Sequence, residues 1–409
     1  MSNSVELDAP ASHGNLEPTS QLTEQIILTY RGWDRFERTH GGPDIIDFDL
    51  CNVPGEASFS ARREILASLS EIAGRLDGET GEGELLRTRV VGSIAYLRAM
   101  MGQQIDFPDY LRRTLGVDPV PFASEEIEDA RKQASDALAL FGIQMRVEDR
   151  ARFETELIIG DREAIKKGII DQKGLWLKRL SEAGIPVPRQ IPLTVQFAET
   201  DAYWSNWING SLEKGITLAI NLHARKKYDR GRPLVLCLHE ICGHAVQMSI
   251  WTELIARGEM NPACGLTTVH SPEMFASEGL GQTVPDLLGD HWTFPSEFHL
   301  SRALSYHSLL VLHNAHLMIY DGVPMEQILD YAQDHLPLTE PEILESEIRD
   351  RGNSPLFRSY QLSYGIGERT IRNLIDGMSI AQKRNFFREL YTRPLTPTQL
   401  REVSDSVKG

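Results

Sequence analysis

Apolar residues recur every three or four positions over most of the chain, and this period predicts a mainly helical fold. In the segment SARREILASLSEIAGRL the apolar positions of one helical face are Ile65, Leu66, Leu69, Ile72 and Leu76. Another segment has Ser124 as its expected N-cap and acidic residues in its first turn. The same period predicts helices over about 84–101, 124–142, 147–183 and 235–258, and over most of the chain after 274.

Two short segments depart from this period and predict a small sheet in the middle of the chain. RQIPLTVQF, near 189–197, is β-branched and bounded by prolines, and ITLAINL, 216–222, is an apolar run of strand length. We therefore predict a mainly α fold, in which a large helical body holds a small central β-sheet. Residues 1–20 are predicted to be a flexible tail, 21–188 an N-terminal helical region, and 189–409 a catalytic region continuous with those helices.

Composition excludes several classes of function. The 409-residue chain has a formal net charge of −16, so we expect no nucleic-acid partner. Four cysteines without a C-x-x-C pair are too few for a disulfide framework. The first residues lack the basic and apolar regions of a secretory signal, and no apolar run reaches the roughly 18 residues that span a bilayer. We expect a cytoplasmic protein with no membrane partner, and the sequence leaves a homodimer open.

The segment LHEICGHAVQ contains the candidate chemistry. His239 and His244 are five positions apart, whereas the zinc-protease signature H-E-x-x-H separates its histidines by four. On a regular helix, side chains four apart differ by about 40° around the axis and side chains five apart by about 140°. A π-bulge absorbs one extra residue, and Gly243 lets the backbone distort. The segment therefore predicts a distorted helix on which both histidines bind one ion and Glu240 acts as general base.

A third protein ligand is expected, because catalytic zinc sites keep three protein ligands and one open position. Glu278, in PEMFASEGLGQTVPDLL, is the first candidate, and Glu273 is the reserve. We expect one Zn²⁺ per chain, although two histidines and a glutamate also accept manganese or cobalt. The apolar flanks of the motif favour this interpretation over unrelated polar positions, since buried histidines and a buried glutamate are costly unless they are paired or bound to metal.

These motifs carry a family resemblance. HEICGHAVQ followed by FASEGLGQ resembles the gluzincin metallopeptidases, and the H-E-x-x-G-H spelling is similar to that of dipeptidyl peptidase III. The order of elements resembles a bacterial family of unknown function related to Taq-type carboxypeptidases. The segment QLSYGIGERTIRNL, 361–374 of this chain, is similar to the late P-G-Q-A-L-S-Y-K-x-G segment of that family. This chain has one residue fewer than that family between Glu240 and Gly243, and no proline there. It also has Gly365 where the family has a lysine. The resemblance covers roughly 190–375.

The resemblance implies a zinc-dependent hydrolase with a zincin-like helical body and a deep cleft. Tyr364 then becomes the candidate donor to the oxyanion of the reaction. The tract IRDRGNSPLFRSYQ supplies Arg349, Arg351 and Arg358, and we expect one of them, with Arg351 and Arg358 preferred, to hold a substrate carboxylate in a two-pronged contact. Asn221, near the end of the ITLAINL strand, is a third candidate substrate ligand, and in zinc peptidases such a strand pairs with an extended substrate.

The predicted reaction is hydrolysis of an amide bond in a short peptide or peptide-like molecule, because an enclosed helical cleft excludes folded proteins. Two alternatives stay open at this point. One is an enzyme of the same fold that acts on a non-peptide compound of specialised metabolism. The other is a non-catalytic helical scaffold with a vestigial motif, against which the complete set of His239, Glu240, His244 and Glu278 argues.

Overall fold

The structure is a computed structural model that describes residues 20–201, 204–223, 225–289, 291–353 and 357–409. The predicted tail, apart from Ser20, lies outside the described residues. The described chain is mainly helical and contains one small mixed sheet, so the predicted fold class is confirmed.

The first part of the chain is helical, and its buried apolar residues belong to one large core cluster and two smaller ones. Its helices are Ser20–Thr39, Arg62–Arg75, Glu82–Met100, Phe107–Thr114, Ser124–Ala139, Arg150–Leu157 and Arg162–Glu182. The helix predicted over 147–183 is interrupted, because Ile158 forms a bridge with Asp229 and the amide of Ile159 donates to the carbonyl of Tyr228. This pairing is long-range and leaves no local signal. Ser124 is the first helical residue, and the N-cap is Ala123.

The sheet has five strands in the order β2-β4-β3-β1-β5. The strands are β1 Phe48–Asp49, β2 Leu193–Ala198, β3 Asn206–Ser211, β4 Gly215–Asn221 and β5 Leu266–Thr267. β4 lies inside the sheet, parallel to β2 and antiparallel to β3. The two predicted strands are confirmed as β2 and β4. The strand β3 was not predicted, because its sequence NWINGS is polar and rich in turn residues.

The second part of the chain is helical. Its helices are Arg232–Ala256, Glu273–Leu288, Ser296–Tyr320, Met325–His335, Pro341–Asn353, Phe357–Ile375, Ile380–Thr392 and Pro397–Lys408. Three of them build the candidate site, and we call them the motif helix (Arg232–Ala256), the glutamate helix (Glu273–Leu288) and the tyrosine helix (Phe357–Ile375).

The motif helix is the most apolar of these. Among the described residues it is the one helix whose length and composition would suit a membrane span, and 94% of its apolar window is buried inside the protein. Its apolar surface is therefore covered by the protein core. All four cysteines are buried and none forms a disulfide, two of them within this helix.

Candidate metal centre

The motif helix changes its winding where the histidines lie. Residues Cys237–Ala245 form nine residues of π-helix between α-helical flanks. A π-helix joins residues five apart by backbone hydrogen bonds, so His239 and His244 lie one above the other. Their Nε2 atoms are 3.2 Å apart. The predicted distortion is confirmed, and it extends over more residues than a single-turn bulge.

Glycines allow the three helices to pack backbone against backbone. A Cβ atom added to Gly243 would lie 3.0 Å from the Cα of Gly281, on the glutamate helix. A Cβ atom on Gly367 would lie 3.1 Å from the Cα of Gly279, so the tyrosine helix approaches the other face equally closely. Gly243 does not adopt a positive φ angle. Its contribution is therefore close packing, rather than the backbone freedom that we expected from it.

Glu278 completes a triangle of ligand atoms. Its Oε2 lies 3.2 Å from Nε2 of His239 and 3.6 Å from Nε2 of His244. A tetrahedral zinc ion, at about 2.0–2.1 Å from each ligand, separates its ligand atoms by about 3.3 Å. The Glu278 Oε2 atom is buried and has no hydrogen-bond partner among the described residues. The three side chains therefore fit a metal ion, which would satisfy this oxygen.

Glu240 lies beside the triangle. His239, Glu240 and His244 form a buried group whose ligand atoms lie within 4.8 Å of one another, an arrangement that can hold a metal ion. However, Glu240 Oε1 is 3.7 Å from His239 Nε2 and accepts a 2.6 Å hydrogen bond from the side chain of Asn206. Because the Glu278 oxygen is both nearer and unpartnered, the geometry favours Glu278 as the third ligand and leaves Glu240 free for another role.

The reserve ligand Glu273 forms a buried ion pair instead, which argues against its use as a metal ligand. Its Oε1 lies 2.5 Å from Nε of Arg89, and both side chains are fully buried. Arg89 also donates to the carbonyls of Ala263 and Cys264. Arg89 and Glu273 are 184 positions apart, which is why the sequence alone did not reveal the pair. Removing one partner of such a pair leaves an uncompensated buried charge.

The electrostatics of the triangle suit a cation. Burial acts to raise the pKa of Glu278, but the nearby imidazoles of His244 and His239 lower it below the ordinary range of a glutamate. Burial acts to lower the pKa of His244, but the charge of Glu278 raises it. Glu278 is therefore an ionised carboxylate in a buried position, where a bound metal ion would take the place of the histidine proton.

Two tyrosines of the tyrosine helix extend the hydrogen bonds of the triangle beyond Glu278. The hydroxyl of Tyr360 donates to Glu278 Oε1 at 2.7 Å, and the hydroxyl of Tyr364 donates to that of Tyr360 at 2.8 Å. The ring of Tyr364 lies over that of His239, with 6.2 Å between centroids. Burial, and then the charge of Glu278, raise the pKa of Tyr364, so its hydroxyl stays protonated. The structure thus brings Tyr364 to the site as predicted.

Tyr360 and Asn206 were missed by the sequence analysis. Tyr360 lies one helical turn before Tyr364, and a spacing of four places two side chains on the same helical face, so this residue had a usable signal. Asn206 had none, because it begins an unpredicted strand and is 34 positions from its partner Glu240.

Asn221 is committed to hydrogen bonds within the fold, which argues against its predicted role as a substrate ligand. It is fully buried, and its amide donates to the carbonyls of Thr200 and Trp204. Its Oδ1 accepts from the backbone amides of Thr200 and His223. Every polar atom of this side chain is used in holding the loops at the end of β4.

The two arginines occupy different environments. Arg358 donates to the carbonyl of Ile105 and stacks over the rings of Tyr110 and Tyr320, so it braces one helix against another. Arg351 is 9% exposed and donates to Gln361, one helical turn before Tyr364. Of the two, only Arg351 is directed toward the site by these contacts.

Comparisons with known proteins give the fold and no activity. No family model and no curated protein matches the chain. A protein named as a putative lipoprotein from Colwellia psychrerythraea has a similar structure, with a TM-score of 0.56 and 14% identity over 86% of this chain and 67% of that one. A putative lipoprotein of unknown function from Shewanella oneidensis gives 0.51 and 11%, over 85% and 71%. Identities this low establish a shared fold alone.

Proposed function

We propose that this protein is a zinc-dependent hydrolase that cleaves an amide bond in a short peptide or peptide-like molecule. The observation that carries the proposal is the triangle of His239, His244 and Glu278, with the carboxylate of Glu240 beside it. Two neutral imidazoles and one carboxylate are a known catalytic zinc set, and such a set leaves one position open. The resemblance to gluzincin peptidases points to the same chemistry.

Each group of the site has its own role in the proposed reaction. A divalent ion at the triangle supplies a Lewis acid that polarises a carbonyl group and makes water more acidic. Glu240, held by Asn206, takes the proton of the attacking water and returns it to the leaving amine nitrogen as the carbon–nitrogen bond breaks. The Tyr364 hydroxyl donates to the carbonyl oxygen while that oxygen carries negative charge.

The edge of β3 supports an extended substrate. The amide of Gly210 donates to the carbonyl of Asp47, directly before β1, whereas the carbonyl of Ser205 accepts from the backbone amide of Asn221 on β4. Alternate residues face opposite neighbours, so the backbone groups of Asn206 and Ile208 point away from β4, beyond the end of β1. A peptide added at this edge would pass next to Glu240. The strand β4, which we expected to take this role, is paired along its whole length with β2 on one side and β3 on the other, whereas β1 covers only Gly210 and Ser211 of β3.

The test combines metal analysis with a single substitution. Purified protein should hold one zinc per chain and cleave members of a panel of short peptides. Glu240→Gln keeps the size of the side chain and removes its basicity, so zinc content should persist while kcat falls by about 10²–10⁴. Glu253→Gln, at an exposed position on the same helix, is the matched control and should retain full activity.

Each alternative gives a different result. Zinc far below one per chain in folded protein would support a non-catalytic scaffold. Protein that holds one zinc per chain but cleaves no amide would support the alternative of a non-peptide substrate. Cytoplasmic location and the absence of a membrane partner also stay predictions, and cell fractionation tests them against an envelope location.

A further inference from the structure

Two helices that pack against the tyrosine helix carry buried polar side chains without their usual partners. The helix Ser296–Tyr320 has buried histidine nitrogens without partners among the described residues, and the helix Pro341–Asn353 has a buried arginine without a carboxylate within ion-pair distance. Unsatisfied buried polar groups cost free energy, so a concentration of them in one place indicates a site for a ligand.

Arg351 is the charged member of this group. Its guanidinium donates to the carbonyl of Glu347 at 3.1 Å and to Oε1 of Gln361 at 3.3 Å. No carboxylate of the described residues lies within ion-pair distance of it, although its side chain is more than nine-tenths buried. Burial lowers the pKa of Arg351 below its ordinary range, and the charges of Glu347 and Asp350, both beyond ion-pair distance, offset this only in part. A buried cation of this kind is stabilised when an anion binds to it.

Two histidines lie within range of the charge of Arg351. His316 is fully buried, and neither of its ring nitrogens has a partner among the described residues. His313 uses Nε2 on the carbonyl of Val120 and leaves Nδ1 unpartnered. Burial, followed by the charge of Arg351, lowers the pKa of His316, so the ring is neutral and keeps one N–H to donate.

Gln361, the partner of Arg351, lies near the proposed oxyanion donor Tyr364. Gln361 and Tyr364 are three residues apart on the tyrosine helix, and both are partly exposed. Residues at this spacing lie on one face of a helix. An anion bound to Arg351 would therefore lie next to the proposed oxyanion donor.

We propose that Arg351, with Gln361 and His316, binds a carboxylate of the substrate, so that the protein acts on acidic peptides or peptide-like acids. The planar guanidinium suits a carboxylate because two parallel N–H groups match its two oxygens. The carboxylate has two sources, the free C-terminus of a peptide or an aspartate or glutamate side chain. This inference rests on the proposed function, because it takes the bound molecule to be a substrate. Its binding test does not depend on turnover.

The test measures binding in the zinc-loaded Glu240→Gln protein, so that cleavage does not interfere. Calorimetry compares acetyl-Ala-Ala-Ala, its C-terminal amide, and acetyl-Ala-Ala-Asp-amide. We expect one of the two acids to bind at least tenfold more tightly than the uncharged amide, and the tighter acid identifies the source of the carboxylate. Adding Arg351→Gln should reduce this preference to less than twofold.

Arg349→Gln is the matched control. Arg349 lies on the same helix, carries the same charge and forms an exposed pair with Glu345, so its loss should leave the tenfold preference intact. Arg351→Lys keeps the positive charge but lacks the two parallel N–H groups, so it should give an intermediate preference.

The inference is overturned if neither acid binds better than the amide, or if Arg351→Gln protein keeps the preference. The acid-to-amide comparison in the Glu240→Gln parent decides the matter even when Arg351→Gln protein does not fold. Failure of the hydrolase proposal is separate, because it would appear as absent turnover by the wild-type protein with the binding preference intact.

Discussion

Replacing Gly281 by alanine tests whether His239 is held in a metal-binding position by its contact with the glutamate helix. A Cβ atom at this position would lie 2.6 Å from Cε1, 2.7 Å from Nδ1 and 3.0 Å from Nε2 of the His239 ring. Ordinary contacts begin at 3.4 Å, so the ring or the helix has to move by at least 0.8 Å, the difference between 3.4 and 2.6 Å. Zinc–ligand distances tolerate only about 0.2 Å.

The expected result is weaker zinc binding without loss of the fold. We expect the zinc affinity of Gly281→Ala protein to fall about ten- to hundredfold, as it does when the support of a ligand is disturbed. At a fixed zinc concentration, a hundredfold loss removes about 2.7 kcal/mol of zinc-linked stabilisation. Competition with a chelator gives the affinity, and thermal unfolding with and without zinc gives the stabilisation.

Gly174→Ala is the control for the change of residue type. Gly174 lies inside the helix Arg162–Glu182, and a Cβ atom there meets nothing within 4 Å. Alanine should stabilise this position by about 0.5–1 kcal/mol and leave zinc binding unchanged. If Gly281→Ala protein binds zinc as tightly as the wild type, His239 does not depend on this contact, and the geometric argument for the triangle fails.

Two further predictions concern single contacts. Asn206→Ala should lower kcat about tenfold and leave zinc content unchanged, because it releases one oxygen of Glu240, whereas Asn209→Ala on the same strand should have no effect. For His270, burial lowers the pKa from 6.5 to about 3, so the unfolded chain binds this proton first and stability is lost as the pH falls below 6.5. Between pH 7 and pH 5 the wild type should lose about 2 kcal/mol through this group, and His270→Phe should remove that loss from denaturant unfolding curves.

The sequence predicted the parts of the site that are close together along the chain. The spacing of His239 and His244 required a distorted helix, and the structure contains one. The reason is local: helix geometry relates sequence spacing to direction around the axis. Glu278 was reached because a glycine-rich apolar segment leaves few polar residues from which to choose a ligand.

The parts that the sequence did not predict depend on contacts between distant segments. The hydrogen bond from Asn206 to Glu240 requires a strand whose own residues favour turns. The helix predicted over 147–183 is broken because Ile158 pairs with Asp229, and no residue within 147–183 predicts this break. Arg351 was predicted as one of two equivalent arginines, and only its packing distinguishes it from Arg358.

The charges around the triangle have a further consequence for the orientation of a substrate. No lysine or arginine of the described chain lies within ion-pair distance of Glu240 or Glu278, so a dication is the charge that would balance them. Asp47, whose carbonyl is paired to β3, adds a third acid, and its pKa is raised first by burial and then by the charge of Glu278. Arg351 donates to Gln361, which lies one helical turn before Tyr364 on the tyrosine helix. A substrate with a polar carbonyl and an anionic end would therefore enter in one orientation only, its carbonyl toward the metal ligands and its carboxylate toward the arginine.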